Sequence, residues 1–82
     1  MTNPSNITID IEYTDTFCGE ANYSWVRRHS IVVHDTISDL ALIRKVKRIM
    51  GLNGIRGRTI AYGDSLEFRP YRHNTVLFAF PR

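Results

Sequence analysis

Apolar and polar residues alternate strictly from Ile7 to Thr14. Ile7, Ile9, Ile11 and Tyr13 fall on one side, and Thr8, Asp10, Glu12 and Thr14 on the other. A period of two over this length predicts a half-buried strand. Asp15 to Asn22 breaks the pattern and reads as a loop, with Gly19 and Asn22 as turn formers. A second strand, rich in aromatic and β-branched residues, is predicted from Tyr23 to Val33. One face of it carries Tyr23, Trp25, Arg27, His29, Ile31 and Val33, apolar at both ends and cationic in the middle. A twist, or a bulge that exchanges faces, is needed to give that strand a single buried side.

The period then changes. Leu42, Ile43, Val46, Ile49 and Met50 recur at steps of three and four, which predicts an amphipathic helix within Ser38–Gly51. Thr36 or Ser38 can cap its start, Asp39 suits its positive end, and Gly51 is placed to stop it. Arg44, Lys45, Lys47 and Arg48 fall on the side away from the apolar stripe. After a connector interrupted by Gly51, Gly54 and Gly57 come strands at Arg58–Tyr62, Ser65–Arg69 and Thr75–Phe80. Gly63-Asp64 and Tyr71–Asn74 are the turns between them. The order β-β-α-β-β-β predicts an α+β fold, with an antiparallel sheet of four to five strands and one helix packed on one face. Residues 1–6, polar and containing Pro4, are expected to be a flexible tail, and 7–82 a single domain.

Composition narrows the class. With 82 residues, 43% of them hydrophobic and 23% charged, the chain is folded but near the lower end of what one core stabilises. Both a monomer and a homodimer are compatible with that size. No apolar run approaches the roughly 18 residues of a membrane helix, and the N-terminus has no secretory pattern. A lone Cys18 cannot form an internal disulfide, so the expectation is a soluble protein of a reducing cytoplasm with no membrane partner.

The net charge of +3 conceals an asymmetry. Residues 1–24 hold Asp10, Glu12, Asp15 and Glu20 with no Lys or Arg. Residues 25–82 hold all 11 basic residues against four carboxylates. Such a split fits an acidic-protein or nucleic-acid partner. It equally fits neighbouring strands and a helix that exchange complementary charges.

Signs of catalysis are absent. Cys18, His29, His34 and His73 show no spacing that implies a nucleophile and its base, or a zinc site. Asp10 and Glu12 are explained as the solvated side of a strand. The glycines after the helix lack any phosphate-loop spacing. The expectation is no enzyme, no catalytic residue, no metal and no cofactor. Binding is the remaining class. Tyr23 and Trp25 offer large contact areas, and Arg27 and Arg28 offer paired forks for carboxylate or phosphate. Arg44, Lys45, Lys47 and Arg48 add a basic helix face, and the flexible connector lets Arg56 and Arg58 reach a partner. The competing reading buries Tyr23 and Trp25 in the core and pairs the strand arginines with Asp10 and Glu12.

The run Asp-Thr-Phe-Cys-Gly-Glu-Ala-Asn-Tyr-Ser-Trp-Val-Arg-Arg at 15–28, with Gly-Leu-Asn-Gly-Ile-Arg-Gly-Arg at 51–58, resembles segments of small uncharacterised phage and prophage proteins. The resemblance covers about a third of the chain and implies a context, an accessory protein of phage or mobile DNA. Anti-CRISPR inhibitors are a prominent class there, typically non-catalytic and acting by docking on a Cas protein or complex. The resemblance therefore implies a phage-type protein that binds and inhibits a host defence complex through a basic surface. The alternative is a small basic nucleic-acid-binding domain.

Overall fold

The computed structural model describes residues 5–82. Its elements are β1 (Asn6–Phe17), β2 (Glu20–His34), α1 (Asp39–Ile49), β3 (Gly57–Tyr62), β4 (Ser65–Pro70) and β5 (Thr75–Pro81). The strands form one antiparallel sheet in the order β2-β1-β5-β4-β3, and α1 covers one face. This is the predicted α+β fold with its full five strands. β1 opens at Asn6, one residue before the expected start, and residues 1–4 of the expected tail lie outside the described residues.

The helix is built from local signals. Ser38 is the N-cap, its hydroxyl accepting from the Ala41 N–H at 3.1 Å, with Asp39 in the first turn. At the other end Gly51 turns left-handed at φ 77°. The Leu52 N–H donates to the Lys47 carbonyl and the Gly51 N–H to that of Arg48, which completes a Schellman cap. Leu42, Ile43, Val46 and Met50 are buried against Ile9, Ile11 and Tyr13 of β1, Val33 of β2, Leu66 and Phe68 of β4, and Leu77 and Ala79 of β5. Each such side chain contributes about 1.5–3 kcal/mol on leaving water. The connector after α1 is drawn over this core. Lys47 reaches across the Phe68 ring, 4.4 Å from its centroid, and its Nζ donates to the Ile55 carbonyl at 2.7 Å. Gly57 must lack a side chain, since a Cβ there would collide with the Arg69 carbonyl and come within 2.7 Å of the Phe68 ring.

The expected loop at 15–22 is instead the distal end of a long hairpin. Cys18 and Gly19, both left-handed at φ 53° and 83°, form a two-residue turn with the twist that a hairpin favours. Cys-Gly is not one of the usual turn dipeptides, which is why the pairing was not apparent. Between the pairs Thr14–Val26 and Thr16–Ala21, β1 passes one residue while β2 passes four. This bulge inverts the parity of β2 and bends the hairpin end over the sheet face away from α1. There the Thr16 N–H donates to the Asn74 carbonyl at 2.8 Å, and Arg69 Nη1 donates to the Gly19 carbonyl at 2.6 Å.

Candidate docking surface

The bulge decides where the candidate binding residues go. Thr14, fully buried, is its pin: Oγ1 accepts from the Tyr23 N–H at 3.0 Å and donates to the Trp25 carbonyl at 2.8 Å. Asp15 completes it, its carboxylate accepting from the Ser24 N–H, the Ser24 hydroxyl and the Asn22 amide. Tyr23 is left-handed at φ 55° and turns onto the open face, where its hydroxyl donates to Glu12 at 3.1 Å. Trp25 emerges on the helix side, edge-on to Tyr13 with ring centroids 5.4 Å apart. The two aromatics expected on one strand face therefore lie on opposite faces. Neither is core: they are 47% and 42% exposed.

Hydrogen bonds from Ser24, the largest cause, and from Asn22 hold the Asp15 carboxyl well below its ordinary value of 3.8. A depressed carboxylate pKa stabilises the fold fully above the ordinary value and is lost as pH falls toward the folded-state value. Asp15→Asn is expected to separate from wild type in melting temperature by a constant gap from neutral pH down to about 4, and the gap should close below 3.8. Thermal melts across that range check this, and a gap unchanged at pH 2.5 would contradict it.

The cations divide in the same way. On the open face Arg28 Nε donates to Glu12 at 3.0 Å, Arg82 to Asp10 at 2.9 Å and Arg69 to Glu67 at 2.6 Å. The Arg82 hydrogen bond, then that of Ser30, holds the Asp10 carboxyl below its ordinary range. Arg28 thus follows the cross-strand pairing reading. Tyr23 has its phenol pushed up, by burial first and by Glu12 second. Arg58 projects to this face from the edge strand β3, exposed and without a carboxylate among the described residues.

On the helix side the picture reverses. Arg44, Lys45 and Arg48 are exposed and form no ion pair among the described residues. Arg27 Nη1 reaches the Met50 carbonyl at 3.5 Å, which places its charge at the helix C-terminus beside the last-turn cations. Lys47 does not belong to this free set, being held over Phe68 and on Ile55. Arg56 sits in the connector, its carbonyl accepting from the Tyr71 N–H. The ten candidates therefore do not form one surface. Trp25, Arg27, Arg44, Lys45 and Arg48 share the helix side, Tyr23, Arg28 and Arg58 lie behind it, and Lys47 and Arg56 serve the connector.

One residue of the helix side was missed. Leu40 is 59% exposed in the first turn, one turn before Arg44. It lies off the apolar stripe, and that was the available signal. Among the described residues no three His, Cys, Asp or Glu side chains could hold a metal ion, and no helix is long and apolar enough to cross a membrane. Cys18 is exposed at the hairpin turn. Compared with protein-family models, curated proteins and solved structures, the chain matches none.

Proposed function

We propose that this chain is a non-catalytic docking protein whose helix side binds an acidic surface of a larger protein assembly. The observation that carries this reading is the separation of charge. The open-face carboxylates Asp10, Glu12 and Glu67 are each matched by an arginine, while Arg44, Lys45 and Arg48 have no carboxylate among the described residues. Unpaired positive charge thereby gathers on α1 from Arg44 onward, away from Asp35, Asp39 and Asp64 near its start, where it would steer a complementary partner and speed encounter. Trp25 and Leu40, exposed on that side, supply the apolar contacts that slow dissociation. The phage resemblance gives the setting: an accessory protein, expected in the cytoplasm of a bacterial host, that inhibits a CRISPR-type defence complex by occupying an acidic surface of a Cas protein.

The double reversal Arg44→Glu/Arg48→Glu changes only exposed side chains and is expected to leave the melting temperature within a few degrees of wild type. Affinity for the complex that the tagged protein captures from host lysate should fall roughly tenfold or more, mainly through a slower association rate. An unchanged affinity would remove the helix from the contact. Arg44, Lys45 and Arg48, with Arg27 beside them, could grip phosphate, and salt separates the two partners. Four phosphate contacts would weaken binding roughly a hundredfold between about 50 and 200 mM salt. Capture of a protein that survives nuclease treatment supports the docking reading. Capture of nucleic acid alone, with that salt dependence, supports the nucleic-acid alternative.

A further inference from the structure

The face behind the helix carries a second feature that the docking reading does not use. Four aromatic rings from three strands converge there: Tyr23 of β2, Tyr62 of β3, and Phe78 and Phe80 of β5. With Glu12 and Ser65 they line a hollow of about 260 Å³. Phe78 and Phe80 form its floor because Leu77 and Ala79 occupy the helix side of β5. Tyr62 is 58% exposed on the edge strand, and Tyr23 is delivered by the parity inversion at the bulge.

We propose that this hollow is an aromatic-walled site for an alkylammonium group, the head of a lysine side chain on a partner. Ring faces carry negative quadrupolar potential, and several rings around one cation make the arrangement that binds ammonium groups. The carboxylate of Glu12 lies in the wall. It accepts one hydrogen bond from Tyr23 and one from Arg28, which leaves acceptor capacity on its oxygens. Arg28 and Arg82 line the neighbouring hollow, which shares Glu12 and Phe80 with this one, while Tyr23, Tyr62 and Phe78 line this hollow alone and no Lys or Arg among the described residues does. A nucleobase would also stack on these rings. Its phosphates, however, would run beside Glu12 and Asp10, and of the arginines on this face Arg28, Arg69 and Arg82 are already matched by carboxylates, which leaves only Arg58 on the edge strand among the described residues. Within the hollow itself Glu12 is the one charged side chain among the described residues, and that favours the cation.

The test is an NMR titration of the intact protein with Nα-acetyl-Nε-trimethyl-lysine methylamide. Its neutral isostere, with a tert-butyl group in place of trimethylammonium, and a ten-residue oligothymidine are titrated in parallel. The ring resonances of Tyr23, Tyr62, Phe78 and Phe80 should shift together, with the cation binding about tenfold tighter than the isostere. Tyr62→Ala, at an exposed position, should weaken the cation about tenfold. Glu12→Gln keeps the shape and an acceptor for Tyr23, and should narrow the gap between cation and isostere. Equal affinity for the isostere would reduce the site to an apolar groove. The absence of ring shifts at tens of millimolar probe, or preferential movement of the same rings by oligothymidine, would also overturn the proposal.

Discussion

Phe68→Ala is expected to lower stability by about 3–5 kcal/mol. In a domain of this size that is a large part of a total of about 5–15 kcal/mol, and it should lower the melting temperature by roughly 15–30 °C. The effect is large because three elements meet on this one ring. Phe68 is 2% exposed on β4, opposite Leu77 of β5 and Thr59 of β3, within the cluster that α1 covers. Lys47 lies over its face, and Gly57 starts β3 against its edge. Removing the ring opens a cavity under the helix and takes away the surface on which the Lys47–Ile55 bridge rests. Phe68→Leu keeps most of the volume and should cost less than half as much. Denaturant unfolding measures both variants. A loss below about 1 kcal/mol for Phe68→Ala would mean that the helix packs elsewhere.

Thr14→Val is expected to cost about 2–3 kcal/mol although it preserves shape and adds apolar surface. The hydroxyl bridges the two ends of the inverted segment, accepting from Tyr23 and donating to Trp25. Valine leaves both backbone groups without that partner, next to a fully buried position. Thr14→Ser retains both bonds and loses only a methyl group, so it should recover at least half of the difference. The consequence reaches both faces, since the inversion turns Tyr23 to the aromatic hollow while Trp25 keeps the helix side that it shares with Arg27. Trp25 is the sole tryptophan, so its emission reports the native bulge directly. A red shift in folded Thr14→Val, absent from Thr14→Ser, is the predicted signature. Wild-type stability with unchanged emission would show that the hydroxyl bridge does not hold the bulge.

The contrast between these two residues shows what was legible in the chain. The helix could be read because Leu42, Ile43, Val46 and Met50 repeat at its period and Ser38 and Gly51 punctuate its ends. β1 could be read from its alternation, and the β3–β4 and β4–β5 hairpins from their turn residues. Face assignment was less accessible. β5 is apolar on both sides, so nothing local indicated that Leu77 and Ala79 would pack under the helix while Phe78 and Phe80 faced away. The parity of Tyr23 and Trp25 depends on hydrogen bonds from Thr14 and Asp15, residues nine to eleven positions distant across the hairpin. Lys47 read as one of four equivalent helix cations. Only the path of the connector assigns it to Ile55 and Phe68.

The charge asymmetry was visible in the composition, and its resolution was not. Sheet pairing returns Arg28 and Arg82 to the acidic first strand and leaves the helix cations unmatched. That division leaves Arg44, Lys45 and Arg48 unmatched on the helix side among the described residues, which is the basis of the proposed docking surface. The most direct test compares Arg48→Glu on the helix side with Arg58→Glu on the open face, since both residues are exposed and both changes alter net charge equally. Binding to the nuclease-treated captured complex is measured for each at fixed salt. A several-fold loss is expected for Arg48→Glu and near wild-type binding for Arg58→Glu. Equal losses would mean that net charge alone matters, and a loss confined to Arg58→Glu would place the contact on the opposite face.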